Sequence, residues 1–108
     1  MIDIELRPPA PVVLPAGAVA KLRLFEGGVA DHPNPPVYGR AEIPVGGLAL
    51  PARLRLPISD AAGLARAMMP GIGVRIESSA GKLLFVNQRR HGYTPGTTQS
   101  VILAPIVP

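Results

Sequence analysis

Between Leu48 and Leu56 the chain alternates without a break. Leu48, Leu50, Ala52, Leu54 and Leu56 take every second position, with Ala49, Pro51, Arg53 and Arg55 between them. Successive side chains of an extended strand leave opposite faces, so this spacing makes one apolar face and one polar face; a helix would scatter the same residues. The segment predicts a half-buried strand. Pro51 has no N–H to give a ladder, which puts the strand at a sheet edge or a bulge.

The same period recurs along the chain. Ile2, Ile4 and Leu6 alternate with Asp3, Glu5 and Arg7, and Ala20, Leu22 and Leu24 alternate with Lys21 and Arg23. Val37 to Ile43 predicts a further strand with Tyr38, Arg40 and Glu42 on its wet face. Ile72–Ser78 and Lys82–Gln88 flank the short turn Ser79-Ala80-Gly81, as a hairpin requires. Leu83-Leu84-Phe85-Val86 is apolar on both faces and predicts a central strand. Gln99–Val107 is the last strand.

Pro and Gly supply 14 and 12 of the 108 residues and fall between these segments, as turn punctuation does. Ser59 to Met69 is the one helical segment, capped by Ser59 or Asp60 and stopped by Pro70-Gly71. The fold class expected is all-β. It is a single antiparallel β-sandwich of about six to eight short strands, or a small barrel, with one short helical segment near 60–69. Residues 1–108 form one domain with one modest core.

Composition removes several chemistries. There is no cysteine, hence no disulfide, thiolate metal site or cysteine nucleophile. Asp31, His32 and His91 would supply at most three metal ligands, and they read instead as solvated loop residues. Asp31 and His32 lie in a loop with Pro33, Pro35 and Pro36 that reads as a stiff strand-to-strand connector. Ser59, Ser78, Ser79 and Ser100 sit in no nucleophile elbow, and Pro70-Gly71-Ile72-Gly73 lacks the following helix of a phosphate loop. Neither a catalytic residue, a metal nor a cofactor is expected.

Eleven Lys and Arg against seven Asp and Glu give a formal net charge of +4. Lys21, Arg23, Arg53, Arg55 and Arg75 each fall on the polar side of a strand, and would form a basic outer face if those strands lie side by side. Such a face predicts the alternative reading, a basic β-module binding an anionic polymer such as nucleic acid. Against nucleic acid, the aromatics are only Phe25, Tyr38, Phe85 and Tyr93. The first reading is a non-enzymatic domain that engages a protein partner. Its contact is an exposed strand edge or the loop Gln88–Gly96, with Arg89, Arg90, His91 and Tyr93 as candidate residues.

The order of elements also resembles a known family. The motifs are Leu14, Pro15 and Ala18; Leu22 and Leu24; Ala30, Asp31 and Pro33; Leu54 and Leu56; Val74 and Ile76; and Gly81 to Phe85. Together they are similar to the YbaY family of bacterial lipoproteins, related to the YscW-type chaperone lipoproteins (pilotins) of type III secretion. The resemblance implies a β-sandwich without established enzymatic activity, tethered to the outer membrane and, in YscW-like members, helping a secretin ring assemble there. It implies a protein partner in the cell envelope. The lipidated cysteine of that family has no counterpart, and Met1-Ile2-Asp3-Ile4-Glu5 does not read as a leader. A leader ahead of Met1 would place the protein in the periplasm or at the outer membrane; a start at Met1 would leave it cytoplasmic. No segment reaches the roughly 18 apolar residues of a membrane-spanning helix.

Overall fold

A computed structural model describes residues 1–27 and 34–106. The long strands are β1 (Ile2–Arg7), β3 (Val19–Glu26), β4 (Val37–Pro44), β6 (Ala52–Leu56), β7 (Pro70–Glu77), β8 (Leu83–Asn87) and β10 (Gln99–Pro105). Three two-residue strands, β2 (Val12–Val13), β5 (Ala49–Leu50) and β9 (His91–Gly92), and one short helix, α1 (Ala61–Ala65), complete it. The seven long strands run in the order β4-β3-β7-β8-β10-β1-β6, with β9 paired to β7 beside β8. The two outermost strands, β4 and β6, come close to each other, so the sheet is nearly closed.

This is an all-β fold with one short helix, as expected, and of the two forms the sequence allowed, sandwich or small barrel, it takes the barrel-like one. The reason is continuity: β1 joins β10 on one side and β6 on the other, so one curled sheet encloses its own apolar face. It is not wholly antiparallel, since β1 and β10 run parallel, from Ile4 opposite Gln99 to Arg7 opposite Ile102.

The interior is the set of residues that the alternation places on one face. Ile2, Ile4 and Leu6 from β1, Ala20, Leu22 and Leu24 from β3, Ile72, Val74 and Ile76 from β7, and Val101 and Leu103 from β10 are all buried. β8 lies between β7 and β10, as its two apolar faces predict, although its residues are half-buried throughout. The Leu48–Leu56 segment keeps its alternation but divides at Pro51, which follows a cis peptide bond. β5 pairs with β2 in a small separate ribbon, and β6 becomes an edge of the main sheet. That ribbon and its turns add Leu14, Val45 and Leu50 to the core.

Two expectations fail at the same place, for connected reasons. Tyr38 is 6% exposed rather than on the wet face. The pairing of β3 with β4 slips between Leu24, opposite Gly39, and Phe25, opposite Val37, so Tyr38 is the extra residue of a bulge and turns inward. There it faces Glu26, also 6% exposed, whose carboxylate accepts the Tyr38 hydroxyl at 3.4 Å. The same carboxylate accepts the backbone N–H groups of Met68 and Met69, both at 2.8 Å.

Those two bonds explain why the helix covers only Ala61–Ala65 instead of reaching Met69. Amides donated to Glu26 are not available to a helical ladder, and β7 begins at Pro70, directly opposite Glu26. Asp60 is the N-cap, accepting from Gly63 N–H at 2.9 Å. Ser59 instead donates its hydroxyl to the Tyr38 carbonyl. The segment 57–60 crosses β4 so closely that a Cβ on Gly39 would collide with the Pro57 carbonyl oxygen, while Ser59 and Asp60 N–H both donate to the Tyr38 carbonyl.

Replacing Glu26 by Ala leaves the Met68 and Met69 amides without their carboxylate. It is expected to lower the unfolding free energy by about 2–4 kcal/mol in urea denaturation. Burial, and then the Glu26 charge, raise the Tyr38 phenol above its ordinary value of 10.0. The fold therefore favours the neutral phenol, and this stabilisation is present below pH 10 and lost as the pH rises beyond it. Melting curves between about pH 9 and 11 should show the parent chain losing stability faster than Tyr38→Phe.

Candidate functional site

Alternation on β3 sends Lys21 and Arg23 outward, and the strands beside it add to the same outer face. On β4, Glu42 stands opposite Lys21 and Arg40 opposite Arg23. On β7, Arg75 stands opposite Lys21 and Gly73 opposite Arg23. The result is an open groove of about 430 Å³ over β4, β3, β7 and the end of β8. Its four cations fall into two classes. Lys21 Nζ lies 3.4 Å from Glu77 and 3.9 Å from Glu42, and Arg75 Nε lies 3.6 Å from Glu77. Arg23 and Arg40 face no such carboxylate among the described residues. Arg23 instead lies over the Phe25 ring, its Cζ 4.3 Å from the centroid.

Asn87 closes the groove at the β8 end. Its side chain accepts the Val74 N–H at 2.5 Å and donates to the Ile72 carbonyl at 2.7 Å. It thereby supplies the ladder bonds that β7 would lack between β8 and β9, since those two strands pair with different parts of β7.

The structure does not bring all five predicted cations of the basic face together. Lys21, Arg23 and Arg75 share the groove, whereas Arg53 and Arg55 lie on β6, opposite Glu5 and Asp3 of β1. Arg55 Nε is 3.5 Å from Asp3. That second face carries mixed charge, with Arg7 3.7 Å from Glu5 and Ser100 donating to Glu5.

Of the predicted partner contacts, Arg89, Arg90 and His91 line one cavity of about 360 Å³ together with Ser100 and the exposed Ile102 of β10. Tyr93 is set apart: its N–H donates to the Pro70 carbonyl and its ring packs partly against the core. The loop is held from beneath by Gln99, 2% exposed. The Gln99 amide donates to the Thr94 and Thr97 carbonyls, and its oxygen accepts from Thr94 N–H. His91 Nε2 lies 3.2 Å from that oxygen, which requires the proton on Nε2.

Asp31 and His32 lie outside the described residues. Among the described residues no group of three or more His, Cys, Asp or Glu could hold a metal ion, and no helix is long and apolar enough to cross a membrane. Three of the four serines considered as nucleophiles have structural partners: Ser78 accepts from Ala80 and Lys82 N–H in the hairpin turn, and Ser59 and Ser100 are engaged as above. Arg40, Gly73 and Asn87 were not among the expected site residues. Arg40 and Gly73 carried a readable signal: an outward position on a strand, and an isolated glycine within one. Asn87 carried none.

No family model matches the sequence, and no curated protein matches it. Among solved structures, the fold is similar to an alternative pilotin from the type II secretion system of Vibrio cholerae. The TM-score is 0.82 over 99% of this chain and 96% of that one, at 22% sequence identity. The chain has a pilotin-like fold.

Proposed function

We propose that this chain is a non-enzymatic accessory domain of the bacterial cell envelope that works by binding a protein partner, as a pilotin does. The observation that carries the reading is the similarity of fold to a pilotin over the whole length of both chains. The resemblance of its motifs to YbaY and YscW-type lipoproteins points the same way and names the finer role, assisting a secretin at the outer membrane. The resemblance belongs to type III secretion and the fold neighbour to type II, so the reading is of a secretin accessory without assignment to one system.

Two features supply contact surface. The sheet ends in β4 and β6, which have no ladder between them among the described residues; segment 57–60 crosses β4 at Tyr38, so the main-chain groups left for an added strand are those of β6 and of β4 beyond Tyr38. The cavity under Arg89, Arg90 and His91 joins cationic side chains to the exposed apolar Ile102, the mixture found at protein interfaces.

The test is made in the source cell. Deleting the gene is expected to reduce the secretin multimer recovered from the outer membrane, and the purified chain is expected to retain a secretin from a solubilised envelope fraction. Undiminished multimers overturn the secretin role. An envelope fraction from which the chain retains no protein at all overturns the accessory reading itself.

A further inference from the structure

We propose that the Arg23–Arg40 pair in the β3/β4/β7 groove is an anchor for a carboxylate on an acidic, extended segment of the protein partner. The proposal rests on the partner-binding reading above and adds the chemistry that the partner must carry.

The first argument is electrostatic. Directly opposed residues of an antiparallel pair hold their Cβ atoms about 5 Å apart, and like charges there oppose folding. The chain tolerates two such juxtapositions in this groove and treats them differently. Lys21 and Arg75 are opposed, but Glu77 lies between them and Glu42 beside them. Arg23 and Arg40 are opposed, and neither forms an ion pair with a carboxylate of the described residues. An incoming carboxylate would supply the charge that Glu77 supplies next door.

The second argument is geometric. Gly73 leaves β7 bare opposite Arg23, and the arginine occupies that space. A Cβ on Gly73 would stand 3.3 Å from Arg23 Nε and 3.3 Å from the Phe25 ring. Contact with the Phe25 ring, with Cζ 4.3 Å from its centroid, spends no N–H group on a hydrogen bond, so the guanidinium keeps its donors for an oxygen acceptor such as a carboxylate. The groove is open to solvent along the sheet, with a volume of about 430 Å³.

The third argument selects the occupant. Glu42 and Glu77 border the cationic pair on the Lys21 side, so a continuous polyanion laid along the sheet would meet negative charge within one residue pair. An extended segment with a single carboxylate and apolar residues two positions to either side would not, because residues i and i ± 2 share a face: the carboxylate meets the arginines while an apolar side chain lies on the same face, where Val86 stands opposite Arg75.

The probe is a fluorescein-labelled peptide, Gly-Val-Ser-Glu-Ser-Val-Gly, which puts one carboxylate and two valines on the same face, with its glutamine counterpart as control, titrated against the full chain by anisotropy at about 50 mM salt. The glutamate peptide is expected to bind at least about tenfold more tightly than the control. Arg23→Gln and Arg40→Gln are each expected to weaken it by about tenfold. Gly73→Val removes no charge but fills the space under Arg23, and should weaken it comparably; Gly73→Ala serves if the valine variant does not fold. The double variant Arg53→Gln/Arg55→Gln should bind as the parent does.

Equal weakening by the Arg53/Arg55 double variant, or indifference to the Arg23, Arg40 and Gly73 variants, overturns the anchor. Displacement of the peptide by phosphatidylglycerol vesicles or duplex DNA at equal charge concentration overturns the peptide assignment in favour of a lipid or nucleic acid. The two readings fail separately. A secretin retained equally by the parent and by Arg23→Gln/Arg40→Gln overturns the anchor and leaves the accessory role standing, whereas loss of all envelope partners overturns the role without touching the peptide result.

Discussion

A carboxylate buried at the end of β3 sets the geometry of much of this protein. An ionised side chain taken out of water must find donors, and Glu26 finds them in the consecutive amides of Met68 and Met69. That capture ends the helical turn and reverses the chain, and it brings Pro70 opposite Glu26. The register of β3 against β7 then runs unbroken to Val19 opposite Glu77. A slip of one position would turn Val74 and Ile76 to solvent and Arg75 into the core. The groove inherits the same register, since it is what sets Gly73 against Arg23 and Arg75 against Lys21.

The outer surface follows a second rule, local neutralisation. On the β10, β1 and β6 side, Asp3 faces Arg55 and Glu5 faces Arg53, so each acid on β1 meets a base on β6. On the β3 and β7 side, Glu77 serves both Lys21 and Arg75. Each such exposed pair contributes little to stability, on the order of 0–1 kcal/mol. Their value lies in the contrast they create. Within the β3 and β7 face, where Glu77 pairs with both Lys21 and Arg75, Arg23 and Arg40 form a concentrated positive spot, and that is the property that would give an acidic partner a fixed docking position.

Much of the interior was legible in the sequence because period-two alternation is a local property. Ile2, Ile4 and Leu6 or Ala20, Leu22 and Leu24 declare their face without reference to any partner. What was not legible depended on distant residues. Tyr38 fits the wet face by spacing, and only the bulge against Leu24 and Phe25 turns it inward. Ser59–Met69 has a helical composition, yet Glu26, 42 positions before Met68, decides where the helix ends. The outward direction of Lys21, Arg23 and Arg75 was readable, but their separation from Arg53 and Arg55 was not, because it follows from which strands adjoin in the finished sheet. The choice between sandwich and barrel was not legible for the same reason, since alternation says which face is buried and not whether the sheet curls onto itself.

The parallel pairing of β1 with β10 has a mechanical meaning. In parallel neighbours drawn from the two ends of a chain, a pull on both ends drags the strands past each other along their length. The ladder from Ile4 opposite Gln99 to Arg7 opposite Ile102 would then bear load as a whole, in shear. A hairpin pulled from its open end instead parts one bond at a time. With β6 paired to the far side of β1 and β8 to the far side of β10, tension along the chain is passed on to both neighbours.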